Sequence, residues 1–136
     1  MFAQLDTKSV YSFMDSVVDL NTYVKRAKEL GYQSIGLMDR DNLYAAYHFA
    51  QLAIRNGLRP LIGTEANLFY EGRKIPFRLL AKNNQGYKNL MKLATELSSG
   101  QREFTYFSDY LNDIALILPS EDWEPGMSLS SEVFIG

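Results

Sequence analysis

Gln4, Asp6 and Lys8 alternate along a segment, Phe2 to Thr7 and just beyond, that reads as a first β-strand. Alternate residues of a strand share one face, so these three polar groups share a side of any sheet. A second polar group, Asp39-Arg40-Asp41-Asn42, follows the apolar run from Gln33, and Glu65 and Asn67 lie in a third such run. Carboxylates of this kind can ligate a cation or move protons, whereas lysine and arginine offer donors and fixed positive charge. No histidine stands among them. Metal-dependent chemistry run by this chain alone is therefore not expected. The plain alternative places each residue in a turn facing water, and it is weakest for three alternating positions on one strand.

The elements that would position these residues follow from local signals. Asp19 is an N-cap candidate; behind it Leu20, Tyr23, Val24, Ala27 and Leu30 recur at helical spacing until Gly31 closes the helix. Gln33 to Asp39 reads as a buried strand. Asp41 or Asn42 is expected to cap a second helix with Leu43, Ala46, Tyr47, Ala50, Ala53 and Ile54 on its apolar face, ending at Gly57 before Pro60. Leu61 to Tyr70 reads as a third strand, Glu71-Gly72 as a turn, and Lys74 to Ala81 as a returning strand. Asn83 or Asn84 caps a third helix whose face is Tyr87, Leu90, Met91, Ala94 and Leu97. Phe107 to Asn112 suggests a short helix, Ile114 to Leu118 a strand, and Val133-Phe134-Ile135 the start of another.

Strand and helix alternate as in βαβ units, which predicts an α/β fold with parallel strands and helices packed on a sheet. Ligands of such folds bind at the carboxyl ends of strands, where the polar groups fall. With 136 residues, the chain is short of the about 250 typical of a closed (β/α) barrel. It reads either as the first half of a larger barrel or as a small open parallel sheet.

Composition narrows the function classes. A net charge of −2, from 14 basic and 16 acidic side chains, argues against strong non-specific binding to nucleic acid. The absence of cysteine excludes disulfides and thiolate metal sites and fits a cytoplasmic setting. No apolar run approaches the ~20 residues of a membrane span. The opening residues, acidic at Asp6, do not read as a signal peptide. The single histidine, His48, lies mid-helix and reads as a surface or packing residue. Tyr23, Tyr47 and Tyr87 fall on predicted helix core faces, so packing explains them better than base stacking. Lys88 and Lys92, one turn apart, read as a solvated face.

The segment from Phe2 to Asp15 resembles the opening motif of the PHP (polymerase and histidinol phosphatase) domain family. The version it resembles stands at the N-terminus of bacterial DNA polymerase III alpha subunits, with a Gram-positive-like, degenerate metal site. Further motifs follow in the family's order: Lys25 to Gly31, Met38-Asp39-Arg40-Asp41-Asn42-Leu43, Gly57 to Glu65, and Leu79 to Leu93. The resemblance covers roughly residues 1 to 118. It implies a distorted (β/α)7 barrel, of which residues 1–136 make the N-terminal part within a much longer polymerase chain.

What the resemblance implies about chemistry turns on where the chain departs from the family. A metal-bearing site of the family holds two or three ions with histidines and acids. Here Gln4, Asp6, Lys8 and Arg40 stand at histidine positions, Pro76 or a neighbour stands where another histidine often falls, and only Asp39 and Glu65 keep acidic ligand types. The expectation is a chain without catalytic, cofactor or metal residues of its own, in which Lys8 and Arg40 replace metal charge and pair with Asp6, Asp39 and Glu65 in a buried ionic cluster. By resemblance the module supports a DNA-directed DNA polymerase. Mg2+ would act in the parent enzyme's polymerase site. The partners would be the remainder of the chain, DNA and other replisome subunits, with no membrane. The alternatives are an active metal-dependent phosphoesterase or 3′-5′ exonuclease of the same superfamily, and a stand-alone interaction domain.

Overall fold

Three turns set the path of the chain, and each rests on a residue in the left-handed backbone region. Gly31 (φ 82°) follows the first helix, Gly57 (φ 75°) follows the second, and Glu71-Gly72 (φ 50° and 79°) joins two strands. The computed structural model describes residues 3–4, 19–124, 127 and 133–135. Its elements are β1 (Ala3–Gln4), α1 (Leu20–Glu29), β2 (Ser34–Arg40), α2 (Ala46–Arg55), β3 (Arg59–Tyr70), β4 (Arg73–Ala81), α3 (Asn84–Ser98), β5 (Ile114–Leu118) and β6 (Val133–Ile135). Short 3-10 helices span Phe104–Tyr110 and Ser120–Asp122. The chain forms two compact units, Met1–Thr64 and Glu65–Gly136.

In the first unit β1 and β2 pair in parallel, Ala3 beside Ser34 and Gln4 beside Ile35. The amide of Arg59 donates to Gln33 O at 2.9 Å as β3 begins. Asp19 caps α1 as expected, its carboxylate accepting from the Asn21 amide at 3.1 Å. Val24 and Ala27 of α1, Phe49, Leu52 and Ala53 of α2, and Ile35 and Leu37 of β2 close one apolar core. The Tyr23 ring stacks on Phe49 at 6.0 Å while its hydroxyl donates to Gly36 O at 2.8 Å.

The second helix departs from expectation. Asn42 does not cap it. The Asn42 amide instead donates to Arg40 O at 2.9 Å and its Oδ1 accepts from the Tyr44 amide at 3.1 Å, so both groups are used in the turn. The helix starts later, behind Ala45, with no side-chain cap. Its buried face is Ala46, Phe49, Leu52 and Ala53. Tyr47 and Ile54, expected inside, are 73% and 61% exposed. Apolar residues surround this helix, so spacing alone leaves its inner face undecided.

In the second unit the two-residue Glu71-Gly72 turn, with both central φ values positive, is of the type that joins antiparallel strands. Strand β4 alternates: Ile75, Phe77 and Leu79 are buried, and Lys74, Pro76, Arg78 and Leu80 face the other way. Strand β5 runs antiparallel to β4, with Arg78 opposite Ile117 and Leu80 opposite Ala115. Strand β6 runs parallel to β5. The sheet is therefore mixed: the returning strand expected after Glu71-Gly72 adds antiparallel pairing to the parallel βαβ pattern, so the alternative of a small open parallel sheet does not hold. The hairpin is the cause, because a two-residue turn can only reverse the chain. In place of the short helix expected at 107–112 stands a 3-10 turn that runs earlier, Phe104–Tyr110, whose Phe104 packs between Tyr70 (5.7 Å) and Phe77 (4.9 Å). On α3, Gly86, Asn89, Leu90, Leu93 and Leu97 are buried, while Met91, expected inside, is exposed. No described helix is long and apolar enough to cross a membrane.

Candidate functional site

Asp39 and Arg40 end β2, the strand-end position at which parallel α/β folds place ligands. Adjacent strand residues point to opposite faces, and the two part accordingly: Asp39 is 1% exposed and Arg40 lies in the solvent-exposed class. The next residue, Asp41, has φ 59°, a left-handed conformation that aspartate tolerates better than most side chains. Asn42 holds that turn through the two hydrogen bonds given above. The Thr64 hydroxyl, buried, donates to Asp39 O at 2.8 Å and so ties the carboxyl end of β2 to β3. Strained backbone held by buried polar side chains is the construction expected where a fold displays functional groups.

Glu65 lies in the middle of β3 rather than at its end, because the strand runs on to Tyr70. It is 8% exposed. Its Oε1 is 3.6 Å from Arg78 Nε, an ion-pair distance longer than a hydrogen bond. Counting equal steps back from the Glu71-Gly72 turn sets Glu65 on β3 opposite Arg78 on β4, so the pair follows from the hairpin's own register. The Arg78 side chain is 37% exposed and that of Glu65 11%. The pair therefore falls between exposed pairs, which contribute about 0–1 kcal/mol, and buried pairs, whose rupture costs roughly 3–5 kcal/mol.

Of the expected ionic cluster, Asp39, Arg40 and Glu65 lie among the described residues. Arg40 falls in the solvent-exposed class at the end of β2. Glu65 pairs with Arg78, a residue the spacing of strand-end polar groups did not single out. The signal was present: Glu71-Gly72 reads as a two-residue turn, and counting from it pairs the two charges. Gln4 lies on β1 beside Ile35, and Asp6 and Lys8 lie outside the described residues. Pro76 occupies β4 on the face of Arg78, and His48 is exposed on α2.

The donor set can be tested for a metal centre by its chemistry. Lysine and arginine present no lone pair to a cation and repel it. Glu65 already faces a guanidinium. Among the described residues, no three histidine, cysteine or carboxylate side chains gather to hold an ion. Among the described residues, the donors do not fit a two- or three-metal centre.

The PHP domain family matches residues 4–124. The chain belongs to the PHP domain family. Along its whole length it is 48% identical to DNA polymerase III subunit alpha of Streptococcus pyogenes serotype M1, covering 13% of that protein. It is 33% identical to the Bacillus subtilis DNA polymerase III subunit alpha over 126 residues, 88% of this chain and 11% of the relative. The chain thus spans about an eighth of the length of these relatives or less. A solved structure from Bifidobacterium adolescentis, provisionally described as a metal-dependent phosphoesterase, superposes with a TM-score of 0.56 at 18% identity. It covers 69% of this chain and 32% of that one. At that identity the likeness concerns the fold, which is of the PHP type.

Within the motif Leu79 to Leu93, the side chains at the start of α3 hold the turn before β5. Asn83 Oδ1 accepts from the Gly86 amide at 2.9 Å and caps α3. Asn89 Nδ2 donates to Asn112 O at 2.8 Å, and the Lys82 amide donates to Asp113 O at 2.9 Å. These bonds bind the start of α3 to the turn before β5.

Proposed function

We propose that this chain is the PHP region of a replicative DNA polymerase III alpha subunit, a structural scaffold that has lost metal-dependent phosphoesterase chemistry. The 48% identity over all 136 residues to a polymerase relative carries the first half of the reading. The replacement of ligand types at Gln4, Lys8 and Arg40, together with the Glu65–Arg78 pair, supports the second. In the parent chain DNA synthesis would proceed at a separate polymerase site using Mg2+. The remainder of the chain, DNA and other replisome subunits would be the partners, in the cytoplasm.

The reading is tested on the full-length protein. Primer extension dependent on Mg2+ is expected, with no phosphatase or 3′-exonuclease turnover that survives inactivation of the polymerase site. Tightly bound Zn2+ or Mn2+ by elemental analysis, with such turnover, would establish a working phosphoesterase instead. A reading frame that closes near Gly136 would establish a stand-alone domain.

A further inference from the structure

We propose that Arg78 is the resident cation of this domain: its guanidinium neutralises Glu65 across the β3–β4 hairpin and supplies, at that carboxylate, the charge a metal ion would otherwise bring. A buried carboxylate needs a compensating charge or hydrogen bonds to remain ionised. Glu65 is 8% exposed, and Arg78 Nε stands 3.6 Å from its Oε1.

The arrangement is built in rather than incidental. The tight turn at Glu71-Gly72 fixes the register that opposes the two residues. Ile75, Phe77 and Leu79 are fully buried, so β4 cannot slip by one residue without driving Arg78 into the core and these side chains out. Ile117 of β5 stands opposite Arg78 in the β4–β5 register, and the Arg78 side chain is 37% exposed. A guanidinium cannot be deprotonated in a protein. A divalent cation approaching Glu65 would therefore meet a tethered positive charge that no pH change removes. This explains how a PHP-type fold keeps an acidic side chain at this position without a metal ion.

The inference rests on the reading of a lost metal site, yet the two fail separately. The test uses the full-length protein with E65Q, R78M and the double variant E65Q/R78M. The readout is amide hydrogen exchange, followed by mass spectrometry, in peptides covering residues 59–81. R78M is expected to accelerate exchange in the hairpin roughly tenfold, because it leaves Glu65 without this cation. The double variant should recover most of the protection, because the carboxylate that Arg78 neutralised is gone as well. R78K, which keeps charge but loses the planar fork, should fall between wild type and R78M. Unchanged exchange in R78M, or effects of E65Q and R78M that simply add, would overturn the pair. Millimolar Mn2+ should leave wild-type exchange in the hairpin unaltered, and added protection there would show that Glu65 takes a metal despite Arg78. By contrast, bound metal elsewhere with phosphoesterase turnover would overturn the scaffold reading and leave the ion pair standing.

Discussion

Gly86, in the first turn of α3, lies so close to the carbonyl of Asp113 that a side-chain methyl at that position would collide with the carbonyl oxygen. The Asp113 backbone is left-handed (φ 62°), and its carbonyl also accepts from the Lys82 amide at 2.9 Å. Neither partner is free to retreat. Gly86→Ala should therefore destabilise the fold, even though alanine is favoured over glycine inside a helix by about 1 kcal/mol. Overpacking against backbone costs typically 1–3 kcal/mol and outweighs that gain. Urea denaturation reads the sign directly: a variant as stable as wild type would show that the approach of α3 to this turn is loose.

Asn89 makes the second tie between α3 and the same turn. It is buried, donates to Asn112 O and accepts from Gln85 Nε2 at 3.2 Å. Asn89→Asp keeps the shape but replaces the amide donor with an acceptor. The new carboxylate would face a carbonyl oxygen while buried, which costs about 1–3 kcal/mol or more if it stays ionised. Both effects raise the folded-state pKa of the introduced acid. The variant should be least stable at neutral pH and approach wild type as the acid protonates. Chemical denaturation at neutral and acid pH measures the difference, and a pH-independent deficit would argue against the direct hydrogen bond.

The sequence signals that held were local ones. Asp19 and Asn83 cap helices because their side chains reach amides two or three residues on, and Gly31, Gly57 and Glu71-Gly72 sit where the chain must take positive φ. What failed turns on competing contacts, some local and some far along the chain. Asn42 has a capping side chain, but the strand end at Arg40 and the Tyr44 amide engage it first. Spacing points Tyr47 and Ile54 inward because α2 is apolar on several sides, and the packing of Phe49 and Leu52 with α1 and β2 residues shows which side wins. At the candidate site, Asp39 and Glu65 were legible as buried acids, whereas Arg78 emerges only when the turn is used to count register across the hairpin.

Phe104 tests how much the second unit depends on its 3-10 turn. The ring is 2% exposed and contacts both Tyr70 and Phe77, residues from the two strands of the hairpin. Phe104→Ala removes those contacts and leaves a cavity, so a loss of about 3–5 kcal/mol is expected. Phe104→Leu should cost distinctly less. Equal losses for the two would mean that leucine's bulk recovers nothing and that the aromatic ring itself, rather than filled volume, holds the turn.

Tyr106 gives a pH-dependent test outside the candidate site. Its hydroxyl donates to Glu96 Oε2 at 3.0 Å, linking the 3-10 turn to α3. That hydrogen bond, followed by the negative charge of Glu96, raises the phenol above its ordinary value of 10.0. A folded-state pKa raised above the unfolded one favours the native state while the phenol is protonated. The contribution is therefore intact below about pH 10 and is lost as pH rises through the higher folded-state value. Spectrophotometric titration of the phenolates should show one tyrosine ionising late in wild type. In E96Q that tyrosine should return toward the ordinary range, because the variant removes the carboxylate charge and exchanges the strong acceptor for an amide. An unchanged titration curve in E96Q would mean that Tyr106 and Glu96 do not hold this contact in solution.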